Sequence, residues 1–194
     1  MKVINFNPSD FEVYLQTIVD DIMHETTSIL VIGVREGGLP IARMVYEHLS
    51  IKNDLKVDYA EVLCQRPTTK IKKKNLQRER FVKSIFRITP EVVLNQMRLA
   101  EHHLITSKKV NVFRSISVQE PLKLDLYDLV LIVDDAVDTG YSMAEILKYL
   151  QCLNENVRIK TLSAVVTKKN PVLIPDYFYY RDVLIRFPWS LDAK

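Results

Sequence analysis

The stretch LVLIVDDAVDTGYSMAEIL (Leu129–Leu147) begins like a buried strand and then places carboxylates just before a helix-like segment. Five apolar residues lead into the adjacent carboxylates Asp134 and Asp135, and a third, Asp138, follows. A buried carboxylate without a partner is strongly disfavoured, so such groups are usually paired, hydrated or placed at an opening. We therefore interpret this stretch as a core strand that ends in a binding loop.

The length and composition are typical of one compact domain covering residues 1–194. The chain has 194 residues and is 47% hydrophobic, which is enough for a sizeable core. No apolar run approaches the roughly 20 residues that cross a bilayer, and the N-terminus lacks the pattern of a signal peptide. The two cysteines have no metal-ligand spacing, which favours a reducing, cytoplasmic location.

Strand-like and helix-like segments alternate along most of the chain. This alternation predicts an α/β fold, with a doubly wound, mostly parallel sheet flanked by helices. Ser9 and Glu12 have the spacing of a capping box at the first helix. The predicted strands are Ser28–Val34, Val57–Leu63, Val130–Val133 and Thr161–Val166, and the later predicted helices are Leu39–Leu49 and Ser142–Leu153.

The loop after the third predicted strand has the chemistry of a sugar-phosphate site. Free backbone N–H groups at a helix start favour an anion, and the hydroxyls of Thr139 and Ser142 add donors. Gly140 allows the backbone to fold around a phosphate. Asp134 and Asp135 suit the vicinal hydroxyls of a ribose, although an isolated Asp-Asp pair could equally bind Mg²⁺ or accept a phosphoryl group.

The sequence VDDAVDTGYS closely resembles the phosphoribosyl pyrophosphate (PRPP) motif of the type I phosphoribosyltransferases. The resemblance implies that Asp134 and Asp135 hold the ribose hydroxyls, directly or through Mg²⁺, so that they are also the expected metal ligands. It implies that Asp138 is the catalytic acid or base. The residues expected to hold the 5′-phosphate are Asp138, Thr139, Gly140, Tyr141 and Ser142.

A second loop, GVREGGLPIA (Gly33–Ala42), resembles the pyrophosphate loop of the same family. The residues expected to bind pyrophosphate are Arg35, Glu36, Gly37 and Gly38. Purine-specific members often carry a basic residue where this chain has Glu36, which would repel pyrophosphate unless its side chain turns away or meets Mg²⁺. By analogy with the family, we also predict a non-proline cis peptide between Arg35 and Glu36.

The C-terminal segment 167–194 resembles the hood of prokaryotic xanthine- and hypoxanthine-type enzymes. The resemblance places Lys168 against the exocyclic 6-oxygen of a purine, and it makes Leu184, Phe187 and Trp189 the other candidates for base binding. Core packing is an equally good interpretation of Phe187 and Trp189. The chain departs from the family at Leu184, where a tryptophan is common, and at Ser190, where a glutamate is common.

Residues 66–114 form a basic insertion at the position of the family's mobile catalytic loop. The segment contains 13 lysines and arginines and only three acidic residues. One interpretation is a packed pair of helices with a solvated basic face; the other is a lid over pyrophosphate. The charge could also meet nucleic acid or an anionic membrane surface. The candidate lid residues are Arg66, Lys70, Lys72, Lys73 and Lys74.

Taken together, the resemblance implies a Mg²⁺-dependent transferase that moves a phosphoribosyl group from PRPP to an acceptor base, with release of pyrophosphate. A 6-oxopurine or a similar heterocycle is the favoured acceptor, and a homodimer is expected because relatives usually form one. Two alternatives stay open. One is a PRPP-binding regulator that contacts nucleic acid through the insertion, and the other is a transferase of a specialised pathway with a non-purine acceptor.

Overall fold

The computed structural model describes residues 1–65, 89–106 and 114–190. The strands are β1 (Lys2–Asn5), β2 (Ser28–Arg35), β3 (Lys56–Gln65), β4 (Ser115–Val118), β5 (Leu129–Val137), β6 (Ile159–Val166), β7 (Tyr177–Arg181) and β8 (Val183–Arg186). The helices are α1 (Pro8–Met23), α2 (Leu39–Ser50), α3 (Glu91–Thr106) and α4 (Tyr141–Leu153), and Leu124–Leu126 forms a 3₁₀ turn. Among these described helices, none is long and apolar enough to cross a membrane.

Six strands form one sheet in the order β4-β3-β2-β5-β6-β7. All neighbouring strands in it are parallel except β3 and β4. One face of the sheet packs against α1 and α2 in one apolar cluster, and the other face packs against α4 in a second cluster. The predicted α/β fold with helices on both faces is therefore confirmed.

The chain turns in opposite directions from the two central strands. From β2 it proceeds to β3, and from β5 it proceeds to β6 on the other side, so the strand order reverses between β2 and β5. In open α/β sheets, ligands bind in the crevice at such a switch point, outside the carboxyl ends of the strands. The two loops singled out from the sequence follow these two strands.

Strand β5 is longer than the sequence predicts. We expected it to end at Val133, but it continues to Val137. Asp134 pairs with Ser163 of β6, and Val137 pairs with Val166. The pairing of β5 with β6 therefore continues beyond the apolar run of β5. The adjacent carboxylates Asp134 and Asp135 lie within this paired strand, which fixes their backbone.

Two features near the chain termini differ from expectation or were not foreseen. The first helix begins at Pro8 rather than behind a Ser9 cap, because the Asn7 side chain accepts a hydrogen bond from the Ser9 backbone N–H at 3.1 Å. Strand β1 pairs in parallel with β8 as a separate two-stranded sheet. Within the C-terminal segment 167–190, β7 thus belongs to the main sheet and β8 to the small one.

Asp128 joins the beginnings of β2 and β5, and we expect its contribution to stability to be lost in acid. Its Oδ2 atom accepts hydrogen bonds from the Thr27 backbone N–H and hydroxyl at 2.8 Å each, and from the Ser28 N–H at 3.0 Å. These bonds, with the Thr27 N–H foremost, lower the pKa of Asp128 to about 2. A carboxyl whose pKa is lowered by folding stabilises the fold at pH values above the unfolded pKa of 3.8, and this contribution is lost as the pH falls towards 2.

Asp128→Asn should therefore have a lower urea midpoint than the wild type at pH 7, and the difference should shrink by pH 2. An equal difference at both pH values would contradict this account.

Candidate functional site

The loop after β2 lies directly against the carboxylates of β5. A Cβ atom added to Gly37 would be 2.8 Å from Cγ of Asp135, and one added to Gly38 would be 2.8 Å from Oδ1 of Asp134. The Gly38 position is also 2.7 Å from the Val34 carbonyl oxygen. Any side chain at these two positions would collide with the carboxylates or with the backbone. The predicted pyrophosphate loop and the predicted ribose carboxylates therefore lie directly against each other.

The peptide bond between Arg35 and Glu36 is cis, as predicted. The Arg35 side chain lies beside β3, where its Nε atom is 3.7 Å from Oε2 of Glu61. Arg43 approaches the same carboxylate at 3.9 Å. Sequence reasoning missed Glu61, although its position on the strand next to β2 could have indicated it. The Glu36 side chain is exposed.

Asp134 and Asp135 lie close together in surroundings that disfavour their charge. Burial raises the pKa of Asp134 well above its usual range, and the neighbouring Asp135 carboxylate raises it further. Burial also raises the pKa of Asp135, against the opposing effect of several hydrogen-bond donors. Oδ1 of Asp134 accepts a hydrogen bond from the Asp135 backbone N–H at 2.9 Å. Such a pair is suited to a cation or to hydroxyl donors, either of which would stabilise the ionised carboxylates.

The start of α4 forms a small cleft with the chemistry of an anion site. Gly140 is the residue before the helix and has a φ of 78°, in the left-handed region that favours glycine. The cleft has a volume of ≈ 110 Å³. Its lining includes Asp134, Asp138, Thr139, Gly140 and Ser142. Since a water molecule occupies about 30 Å³ of liquid, the cleft has room for a phosphate group, with free N–H groups of the helix start beside it.

Asp138 is held by a residue of the neighbouring strand end. The hydroxyl of Thr167 donates to Oδ1 of Asp138 at 2.9 Å, and the Thr167 backbone N–H donates to the Val137 carbonyl at 2.9 Å. Thr167 is 5% exposed, so this contact lies beneath the surface of the site. We did not single out Thr167 from the sequence, but its position directly after β6 was a usable signal.

Arg114 is a further residue of the cleft that sequence reasoning did not assign to the site. We counted it as the last cation of the basic insertion. Strand β4 begins at Ser115, opposite Gln65 at the end of β3, and this pairing brings Arg114 to the rim of the sheet. Arg114 lines the anion cleft, and its positive charge opposes the rise in the pKa of Asp134.

The four candidate base-binding residues lie in different surroundings. Lys168 is half-buried and directly follows Thr167. Leu184 is 6% exposed and pairs with Val3 in the small sheet, and Phe187 is 5% exposed in the apolar cluster beneath α1 and α2. Trp189 stacks on Phe187 at a centroid distance of 4.9 Å.

The candidate lid residues Arg66, Lys70, Lys72, Lys73 and Lys74 lie outside the described residues.

The carboxylate pair fits Mg²⁺ as a metal that it shares with a phosphorylated ligand. Among the described residues, no group of three or more His, Cys, Asp and Glu side chains could hold a metal ion by itself. Mg²⁺ usually binds through one or two carboxylates together with waters and substrate phosphates. Asp134 and Asp135 beside an anion cleft match this ligand set.

Comparisons with known proteins give structural similarity only. No protein-family model matches the sequence, and no curated protein sequence matches it. The structure is similar to a purine phosphoribosyltransferase from Pyrococcus horikoshii, with a TM-score of 0.57 and 18% identity over 97% of this chain and 93% of that chain. It is similar to a xanthine-guanine-hypoxanthine phosphoribosyltransferase from Helicobacter pylori, with a TM-score of 0.57 and 16% identity over 98% of this chain and 95% of that chain. A hypoxanthine phosphoribosyltransferase from Staphylococcus aureus matches with a TM-score of 0.55 and 10% identity over 90% of this chain and 74% of that chain. The chain therefore has the fold of the type I phosphoribosyltransferases.

Proposed function

We propose that this protein transfers a phosphoribosyl group from PRPP to a 6-oxopurine or a similar heterocyclic base. The observation that carries the proposal is the contact between the two loops at the switch point of the sheet. Gly37 and Gly38 lie against Asp135 and Asp134, and the anion cleft at the start of α4 lies beside them. One PRPP molecule, a ribose with a phosphate at one end and a pyrophosphate at the other, would engage all three elements at once.

Each part of the site has a separate task in this reaction. The start of α4 binds the 5′-phosphate with its N–H groups and the hydroxyls of Thr139 and Ser142, and Arg114 adds positive charge. Asp134 and Asp135 orient the ribose through its hydroxyls. The backbone around Gly37 and Gly38 binds the pyrophosphate, so that these interactions strengthen as negative charge develops on the leaving group.

The chemical step exchanges one bond at C1 of the ribose. The C1–O bond breaks with its electron pair leaving on pyrophosphate, and a nitrogen lone pair of the base forms the new C1–N bond. In this proposal Asp138 accepts the proton that the attacking base loses, and the hydrogen bond from Thr167 orients its carboxylate. Mg²⁺, when bound, would neutralise charge on the pyrophosphate. Lys168 is proposed to donate a hydrogen bond to the 6-oxygen of the base.

The direct test is a panel of bases incubated with radiolabelled PRPP and Mg²⁺, with nucleotide products separated and counted. We expect turnover with at least one of hypoxanthine, guanine and xanthine. PRPP binding without turnover on any 6-oxopurine would contradict the proposed acceptor and would favour a regulator or a different base. Failure to bind PRPP at millimolar concentration would contradict the proposal as a whole.

Replacing Thr167 with valine should slow transfer more than it weakens binding. The substitution keeps the shape of the side chain and removes the hydroxyl that holds Asp138. We expect kcat to fall about tenfold, a part of the 10²–10⁴-fold that a positioned proton-transfer group contributes, with the Kd for PRPP nearly unchanged. Thr161→Val is the control, because the Thr161 hydroxyl donates to the Asp176 carboxylate at 2.7 Å and accepts from the Asp176 N–H at 2.9 Å, and Asp176 belongs to no part of the proposed site. Equal kcat values for the two variants would remove the assigned role of Thr167.

A further inference from the structure

The chain that follows β6 lies along the loop that precedes α4. Where this segment begins, the Thr167 backbone N–H donates to the Val137 carbonyl at 2.9 Å, and the Thr167 hydroxyl donates to Asp138 at 2.9 Å. Further along, the Val172 N–H donates to the Thr139 carbonyl at 2.9 Å. The loop that is proposed to bind the 5′-phosphate is therefore bonded at two of its carbonyls and one of its side chains to a single segment of the chain.

Leu173 completes this contact at the point where the loop turns into α4. A Cβ atom added to Gly140 would lie 2.7 Å from both the backbone nitrogen and the backbone oxygen of Leu173, so the two backbones touch. The half-buried Leu173 side chain packs against the apolar cluster beneath α4. Its neighbours Val172 and Ile174 are 56% and 50% exposed. Of these three residues, Leu173 is therefore the one that anchors the segment in the core.

The same segment contains Lys168, the proposed contact to the base. Lys168 lies between the two attachment points at Thr167 and Val172. The next residue, Lys169, is bonded to β7, because its carbonyl accepts a hydrogen bond from the Arg181 guanidinium at 3.3 Å. The base end and the 5′-phosphate end of the proposed site thus share one stretch of backbone, which is held between β7 and the start of α4.

We propose that Leu173 is a positioning residue for the 5′-phosphate, because its packing beneath α4 holds the segment after β6 against Gly140 and so fixes the N–H groups at the helix start. This inference rests on the proposed function, since it concerns the same phosphate. The predicted pyrophosphate loop is held differently, by the contact of Gly37 and Gly38 with the carboxylates of β5. Loss of the Leu173 side chain should therefore act on one end of PRPP and not on the other.

The experiment measures by calorimetry the Kd values for ribose 5-phosphate and for inorganic pyrophosphate, each with Mg²⁺. We expect Leu173→Ala to weaken binding of ribose 5-phosphate about five- to tenfold, in the range for a residue that does not touch the ligand, and to leave the Kd for pyrophosphate unchanged. Leu173→Met keeps most of the apolar packing, so it should bind both ligands nearly as the wild type does. Ile174→Ala is the matched control, because it shortens an aliphatic side chain at the exposed neighbouring position, and both of its Kd values should equal those of the wild type.

The outcomes separate this inference from the proposed function. A wild-type protein that binds neither ligand at millimolar concentration would contradict the proposed function. If the wild type binds ribose 5-phosphate and Leu173→Ala binds it as tightly as Ile174→Ala does, this inference alone is overturned. Equal weakening of both ligands in Leu173→Ala would also overturn it, because that result indicates a general loss of structure.

A second variant covers the case in which Leu173→Ala does not melt cooperatively. Val172→Pro removes the N–H that donates to the Thr139 carbonyl and keeps the Leu173 side chain. We expect Val172→Pro to weaken binding of ribose 5-phosphate and to leave binding of pyrophosphate unchanged. An unchanged Kd for ribose 5-phosphate in Val172→Pro would then overturn the inference.

Discussion

Asp134→Asn should make the ligand-free protein more stable and at the same time abolish tight binding of PRPP. Burial and the adjacent Asp135 raise the pKa of Asp134, so the ionised form costs folding free energy at neutral pH. Asparagine keeps the shape and an acceptor oxygen without the charge. We expect a gain of about 1–2 kcal/mol in the free energy of unfolding, as is common when a functional residue is relieved of strain. Loss of one charge-assisted interaction should weaken PRPP binding by about 100-fold.

The gain in stability should depend on pH with a defined sign. A carboxyl whose pKa is raised in the folded state makes the folded protein bind more protons than the unfolded chain, in the range between the two pKa values. Stability therefore falls as the pH rises through that range, from the unfolded value of 3.8 upward, and Asp134→Asn avoids this loss. The stabilisation should be present at pH 7 and vanish below pH 3.8. Urea unfolding of Asp134→Asn and the wild type at pH 7 and below pH 3.8, with EDTA present to remove metal ions, measures this stabilisation.

Asp128→Asn is the control for this experiment, because the pKa of the Asp128 carboxyl is shifted in the opposite direction to that of Asp134. Asp128 has a lowered pKa and lies at the other end of β5, away from the site. It should lose stability at pH 7 and keep PRPP binding. If Asp134→Asn destabilises the protein at pH 7 as Asp128→Asn does, Asp134 is not held in a costly charged state, and the physical account of the carboxylate pair is wrong.

The sequence predicted the parts of the fold that depend on local pattern. The apolar runs of β2 and β5 and the helices behind them were placed correctly because each has a local signal of its own, a short continuous apolar run for the strands and helical spacing of apolar residues for the helices. The two loops were identified because their glycines and acids lie at the ends of those strands. Their direct contact follows from the parallel register, in which Gly33 pairs with Val133.

Features that depend on long-range pairing could not be predicted in the same way. Arg114 reaches the anion cleft only because β4 turns back along β3 after the long basic insertion. Trp189 packs on Phe6 and Phe187 only because β8 pairs with β1 from the opposite end of the chain. Nothing in the residues near Arg114 or Trp189 specifies these partners. The extension of β5 to Val137 was missed for a related reason, since pairing with β6 overrides the polar character of Asp134 and Asp135.

Gly140→Ala should damage both the fold and the phosphate site. Gly140 has a φ of 78°, where an alanine is strained by about 1–2 kcal/mol. An added Cβ would also lie 2.7 Å from the backbone nitrogen and oxygen of Leu173, and a backbone cannot rotate away as a side chain can. We expect the free energy of unfolding to fall by about 2–3 kcal/mol, which for a chain of this size lowers Tm by roughly 5–10 °C.

The same substitution should weaken PRPP binding beyond what lower stability explains. Relief of the clash requires the Asp138–Ser142 loop to move from Leu173, and the hydrogen bond of 2.9 Å from the Val172 N–H to the Thr139 carbonyl would be strained. The N–H groups that are proposed to bind the 5′-phosphate would then be misplaced. Lys148→Gly is the matched control, because glycine at this exposed position of α4 costs about 1 kcal/mol without touching the loop. We expect calorimetry to give a PRPP Kd at least about tenfold weaker for Gly140→Ala, and a nearly wild-type Kd for Lys148→Gly. If Gly140→Ala binds PRPP as well as Lys148→Gly does, the start of α4 does not hold the 5′-phosphate.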